Sequence, residues 1–188
     1  MGPLEILWLA IIVFFVLIAF VRGYPRELGV TTVIFGALFL ITFFLEKYLP
    51  RFINFLSSEL SLQLTERQLQ HFYALFYSLL FLVVVFWAYA GETFSFQGKE
   101  HKGAGGFVLN FLVGLLNGIL VASTLWYFQV AYKYPVADFK NAAGQSVFLT
   151  LPLTSFAQSL VTYVPANVIP PIFWGAMLLL MLIARVRK

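Results

Sequence analysis

Four long apolar runs dominate the chain. Leu4 to Val21 carries a single charge, Glu5, near its end, while Leu28 to Leu45, Phe72 to Ala90 and Phe107 to Ala131 carry none. A lipid core ~30 Å thick needs about 20 apolar residues at ~1.5 Å rise each. Each run therefore predicts a transmembrane helix. A fifth run, Ile172 to Ala184, has 13 residues and is short for a crossing. It spans if Trp174 anchors one interface while Arg185, Arg187 and Lys188 snorkel to the other. A shallow interfacial helix is the competing reading.

The polar intervals add detail. Pro25 suits a first helical turn, and Glu27 suits the positive end of a helix dipole. They predict a tight antiparallel hairpin between the first two spans, with Arg22 and Arg26 facing the headgroups. In the segment 46–71, Thr65 and Gln68 form a capping-box pattern that starts the next helix near Glu66. Leu60, Leu62 and Leu64 alternate with Ser61 and Gln63, which predicts a short extended piece. Between Pro152 and Pro165, Leu153, Phe156, Leu160 and Val164 recur at helical spacing. Thr154, Ser155, Gln158, Ser159 and Thr162 take the other face. This predicts an outer amphipathic helix over about 152–164, lying on the membrane surface or capping the bundle. The fold class is an all-α membrane protein. It is one integral membrane domain over 1–188, a bundle of four to five transmembrane helices.

Composition sharpens this reading. The 188 residues are 61% hydrophobic and 11% charged, with mean hydropathy +0.90 and no cysteine. Soluble domains run at about 45–50% apolar and about 25% charged. Disorder, a disulfide scaffold, cysteine-ligated metal and an ordinary soluble enzyme are set aside. The net charge of +4 is a topology signal. With five crossings and the N-terminus outside, the inner segments 22–27, 91–106 and 185–188 hold seven of the 12 Lys and Arg in 26 residues. The outer segments hold five in 69 residues. The positive-inside rule then places the C-terminus in the cytoplasm. The first span reads as retained, because Arg22-Gly-Tyr-Pro-Arg26 is no small-residue cleavage site. No basic face interleaved with exposed aromatics is available for nucleic acid.

Candidate chemistry concentrates in the fourth span. Gly106, Asn110, Gly114, Gly118 and Ala122 fall four residues apart, with Asn117 three after Gly114. The helix therefore has one small, polar face, which lets backbones approach and amides bond across the gap. Packing against other spans of the same chain is the common use of such a face, and Gly29, Thr32 and Gly36 offer a partner. A homodimer seam or a docking face for another membrane protein is the sharper use. No ionisable residue falls in the middle of a run, which argues against a pump or charged-substrate transporter. Asn110, Asn117 and Gln129 line a neutral pathway or bond between helices.

His71 and His101 lie at opposite membrane faces and cannot share a metal. The glycine-rich stretch 91–106 fails as a phosphate cradle, having Thr93, Glu100 and Val108 at positions that need other residues. No catalytic residue and no metal site is expected, and the chain reads as non-enzymatic. Trp8, Trp87, Trp126 and Trp174 lie near span ends, as interfacial belts do. The 22 Phe face lipid, or contact a flat pigment or a quinone; no cofactor is otherwise expected.

The stretch Phe20-Val-Arg-Gly-Tyr-Pro-Arg-Glu-Leu28 resembles the colicin V production protein family. So do Leu112-Val-Gly-Leu-Leu-Asn-Gly-Ile-Leu120 and the region from Gln145 to Leu153 running on to Tyr163-Val-Pro165. The resemblance covers roughly residues 4 to 167. It implies a multi-pass bacterial inner-membrane protein linked to colicin V production or export and to envelope physiology. The family offers no agreed catalytic residues. Arg22, Gly23, Arg26, Glu27, Gly114 and Gly118 match its recurrent positions, as structural or interaction residues. Tyr24-Pro25 replaces a bulky apolar residue without proline, and the fifth segment is an addition. That addition points to the alternative, an accessory subunit of a larger energy-converting or pigment-protein complex. A small transporter is a third reading.

Overall fold

The computed structural model describes residues 3–61, 63–91, 96, 103–147, 154–162 and 169–186. Helix α1 covers Pro3–Arg22 and α2 covers Tyr24–Phe39. A π-helical turn, Leu40–Leu45, leads into α3, Glu46–Glu59. Then come α4, Glu66–Ala90, α5, Ala104–Ala131, and a 3-10 turn, Pro135–Asp138. Two shorter helices follow, α6, Ser155–Thr162, and α7, Pro171–Val186. Among the described residues there is no strand, only a single antiparallel bridge between Lys140 and Ser146. Four helical stretches are long and apolar enough to cross a membrane: Glu5–Arg22, Tyr24–Glu59, Glu66–Ala90 and Ala104–Ala131. The chain is an all-α membrane bundle.

The first hairpin turns on one residue. Gly23 sits at φ 81, a conformation that a side chain disfavours. Its N–H still donates to the Ala19 carbonyl at 2.9 Å, and its own carbonyl accepts from the Glu27 N–H at 3.2 Å. The α4 capping box forms as the sequence predicts. The Gln68 N–H donates to Thr65 Oγ1 at 3.3 Å, and the Thr65 N–H donates to Gln68 Oε1 at 2.9 Å.

The second span does not end at Leu45. Helix continues to Glu59, a stretch of 36 residues, about 54 Å at ~1.5 Å per residue. No Gly, Asn or Ser interrupts 40–49, and Pro50 is carried inside the helix. Proline has no N–H for the preceding turn. Just before this turn of helix, the Tyr77 hydroxyl of α4 donates to the Leu45 carbonyl at 3.2 Å. The π-helical turn falls at this point. The alternating leucines do not form an extended piece either: Leu60 closes α3, and Ser61 turns at φ 51.

Packing explains the small residues of α5. A β-carbon on Gly118 would stand 2.8 Å from Ile12 Cα, and one on Gly114 would stand 2.7 Å from Ala19 Cβ. The glycine stripe is therefore filled by α1, and not by Gly29, Thr32 and Gly36 of α2. It is no open seam for a second copy. Gly36 instead faces Leu178 of α7 at 3.7 Å, and Gly175 lies against the Phe39 ring. Phe35 stacks on Trp174 with centroids 5.9 Å apart. The pairs Gly36–Leu178 and Phe39–Gly175 run in opposite senses, so α7 is antiparallel to α2.

Helix α7 has 16 residues, about 24 Å at ~1.5 Å each, against a core of ~30 Å. It descends toward the end of the bundle that holds Arg22 and Arg26. The Phe96 N–H donates to the Pro25 carbonyl at 3.1 Å, which places Phe96 at the same end, called here the loop end. Of the predicted amphipathic helix, the described residues show Ser155–Thr162 as helical. Leu153 and Val164 lie outside the described residues, as do the side chains of Phe156 and Leu160. Its N-cap, Thr154, donates to Glu5 of α1.

Gly118→Val should destabilise the bundle by about 1–3 kcal/mol, because α1 backbone stands in the way. Gly105→Ala, where nothing lies within 4 Å, should leave stability unchanged or slightly raised. Unfolding midpoints in detergent micelles check this, and equal midpoints would contradict the α1–α5 contact.

Candidate functional site

The polar stripe of α5 runs beside its glycine stripe and meets α2. At the N-terminus of α2, where backbone donors lack helical partners, the Tyr24 N–H donates to Asn110 Oδ1 at 2.7 Å. Two turns deeper lies Asn117, wholly buried. Its Nδ2 donates to the Glu27 carbonyl at 3.2 Å and to Glu27 Oε2 at 3.1 Å. Its Oδ1 accepts from the Thr31 hydroxyl at 2.7 Å. Thr31, not Thr32, is the threonine that reaches α5; the Thr32 hydroxyl turns back to the Leu28 carbonyl.

Glu27 is the centre of this arrangement. It is 0% exposed, and its carboxylate draws on three other helices. The Tyr89 hydroxyl of α4 donates to Oε2 at 2.7 Å. Asn117 of α5 donates to the same oxygen. Arg22 of α1 brings Nε to 3.4 Å from Oε1. The guanidinium also donates to the Tyr89 carbonyl at 3.1 Å and stacks 4.6 Å over the Tyr89 ring. This corrects one sequence expectation. Arg22 turns inward, while Arg26 alone of the pair stays exposed. Glu27 lies in the first turn of α2, as the sequence predicts, and is also the anchor of a buried ionic clasp. Gly23 lets the chain reverse tightly enough for Arg22 and Glu27 to meet.

A second acid lies within the continuous helix. Glu46 Oε2 accepts from the Tyr127 hydroxyl at 3.1 Å, while its Oε1 is buried without a hydrogen bond. It is about 28 Å from Glu27 along the helix at ~1.5 Å per residue. Reading the span as ending at Leu45 hid it, and the missing helix breaker after Leu45 was the available signal.

The three amides do not share a path. Gln129 is about 18 Å beyond Asn117 along α5 at ~1.5 Å per residue. It lines a separate cavity of about 200 Å³ with Trp8, Ser78 and Trp126. There Ser78 Oγ and Gln129 Oε1 have no hydrogen-bond partner. Gly106 is buried near the start of α5 and Ala122 is buried in its second half. Trp126 and Trp174 are core residues and not belt residues, whereas Trp87 is exposed.

His71 is bound into an ion cluster at the other end. Its Nδ1 meets the Arg67 carbonyl at 2.7 Å, and its Nε2 lies 3.1 Å from Asp138. Arg67 donates to Asp138 at 2.6 Å, and this hydrogen bond holds the Asp138 carboxyl below its usual range. His101 lies outside the described residues. Among the described residues, no three His, Cys, Asp or Glu come together as a metal site would need.

No family model, no curated protein and no solved structure matches this chain. The class is thus defined by the fold alone: helical, with four stretches able to span a membrane and an ionic clasp tying four helices at the loop end.

Removing one partner of a buried pair leaves the other charge uncompensated, at about 3–5 kcal/mol. Arg22→Gln should therefore lower stability by about 3 kcal/mol. Adding Glu27→Gln to that variant should restore part of the loss. Denaturant unfolding of the single and double variants checks this, and strictly additive losses would show that the two residues are not coupled.

Proposed function

We propose that the chain is a non-enzymatic, multi-pass inner-membrane protein of the colicin V production type, acting through protein or lipid contacts. One observation supports this most directly. The small and polar chemistry of α5 is taken up inside the bundle, by α1 and by Glu27. The outward faces carry large apolar side chains, among them Phe14, Leu17, Leu79, Phe86, Trp87 and Phe107. An outward surface of this kind meets lipid or the apolar surface of another membrane protein.

The accessory-subunit reading draws on α3. It has no buried residue and exposes Tyr48, Phe52 and Phe55 beside Lys47 and Arg51. A helix of this pattern lies in a membrane interface or along a partner. Native gels with mass spectrometry after mild extraction separate the two cases. A chain recovered with fixed stoichiometric partners favours the subunit; a chain recovered with lipid alone favours an independent protein.

The proposed orientation has the N-terminus outside and the C-terminus in the cytoplasm. The chain contains no cysteine, so single-cysteine labelling is clean. In spheroplasts, Lys140→Cys should react with a membrane-impermeant maleimide, and Gly105→Cys should react only after lysis. The reverse pattern would invert the orientation. Labelling of both from outside would remove the bundle as a spanning unit.

A further inference from the structure

A cavity of about 200 Å³ is walled by α1, α4, α5 and the 3-10 turn, at the end of the bundle away from the clasp. Leu7, Ile11, Leu125 and Val136 give it apolar walls, and the indoles of Trp8 and Trp126 add flat aromatic surface. Among the described residues, no ionisable side chain lines it. A charged occupant would lose its water there and find no countercharge. The chemistry of the walls therefore selects a neutral one.

Two polar atoms in this lining lack partners. Ser78 Oγ of α4 and Gln129 Oε1 of α5 are both buried without a hydrogen bond. Asn117, one helix face away from such a cavity, has its amide fully engaged by Glu27 and Thr31. Buried polar atoms are costly to leave unpaired, and nearly all find a partner. A serine hydroxyl donates and accepts, whereas an amide oxygen only accepts. One further hydroxyl answers both, accepting from Ser78 and donating to Gln129.

Three kinds of occupant meet these walls differently. A lipid tail covers the apolar surface but leaves both polar atoms unpaired. Water pairs with the polar atoms but not with the rest. At about 30 Å³ each, about six waters would fill the space, and each seeks about three hydrogen bonds that Leu, Ile, Val and Trp walls do not supply. An aromatic alcohol meets both demands. An apolar cavity of ~150 Å³ takes one benzene ring, and indoles favour a ring in edge or offset contact.

We infer that this cavity binds a small neutral aromatic alcohol, with its ring against Trp8 and Trp126 and its hydroxyl on Ser78 and Gln129. The site lies inside the bundle and is independent of the family and orientation proposed above. It gives the chain a small-molecule ligand in addition to protein and lipid contacts.

The test is fluorine NMR of the full chain in lipid nanodiscs, with para-fluorophenol or para-fluorotoluene as probe and empty nanodiscs as the lipid-only reference. The chain should bind para-fluorophenol saturably and about tenfold more tightly than para-fluorotoluene, which lacks the hydroxyl. The double variant Ser78→Ala/Gln129→Leu should lose that preference, with para-fluorophenol binding weakened about tenfold. Without ligand its unfolding midpoint should stay level or rise, because two unpaired polar atoms have gone. Val136→Phe, which adds bulk from the turn, should weaken binding of both probes, and it decides with the probe comparison if the double variant does not fold. Equal binding of the two probes, or no saturable binding of either, would overturn the site. So would a double variant that keeps the preference. A folded double variant with a clearly lower midpoint would show that water already satisfies the two atoms, and a stable dimer that excludes the probe would show that a second copy fills the space; either result overturns the site.

Discussion

A carboxylate removed from water must find a countercharge and hydrogen-bond donors, or it costs several kcal/mol. Glu27 is in that position, and the architecture of the loop end follows from supplying it. Arg22 comes from α1, Tyr89 from α4 and Asn117 from α5. These helices form two pairs adjacent in sequence, α1 with α2 and α4 with α5, and the clasp joins one pair to the other across up to 90 residues. Apolar side chains gain little by leaving lipid for one another, and packing in membranes depends on close backbone contact and interhelical hydrogen bonds. The α1–α5 glycine contact supplies the first and the clasp supplies the second. They fix different degrees of freedom. The glycine stripe sets how near α1 and α5 approach, and the clasp sets the rotation and height of α2 against α4 and α5.

Much of this was legible from sequence pattern, and the reason is physical. Helix length, hydrophobic runs and capping are local, so Thr65 and Gln68 announced the start of α4. The small face of α5 was equally visible in Gly114 and Gly118, because spacing by four is a property of one helix. Which helix fills that face is not local. Glycine stripes do not name partners, and α1 carries no small-residue stripe of its own. It meets Gly114 and Gly118 with ordinary backbone at Ile12 and Val16. Gly29 and Gly36 of α2 looked more complementary and were not the ones used.

The same limit explains Glu27 and Glu46. A charge at the edge of an apolar run reads as interfacial, since edges are where charges usually lie. Burial there requires three other helices to arrive, and nothing within ten residues of Glu27 reveals that Tyr89 and Asn117 do. Glu46 was lost for a different reason. The apolar run stops at Leu45, but the helix does not: it carries Glu46 and Pro50 inside it and continues to Glu59. The end of an apolar run is thus not the end of a helix, and the stretch reaches 36 residues. The π-helical turn, Leu40–Leu45, lies where the apolar run gives way to the amphipathic α3.

The clasp also changes how the basic residues should be counted. Topology rules sum lysines and arginines in loops as though each faced the headgroups. Arg22 does not, because its charge is committed to Glu27 inside the bundle. Arg26 is left at the loop end as an exposed cation. One arginine of the hairpin holds the bundle together, and its neighbour four residues later is available to lipid. The division depends on Gly23. A residue unable to turn so sharply would move Arg22 away from Glu27, leaving a buried carboxylate without its countercharge and a further cation at the surface. A single backbone conformation therefore sets both the internal stability of the bundle and the charge it shows to the membrane.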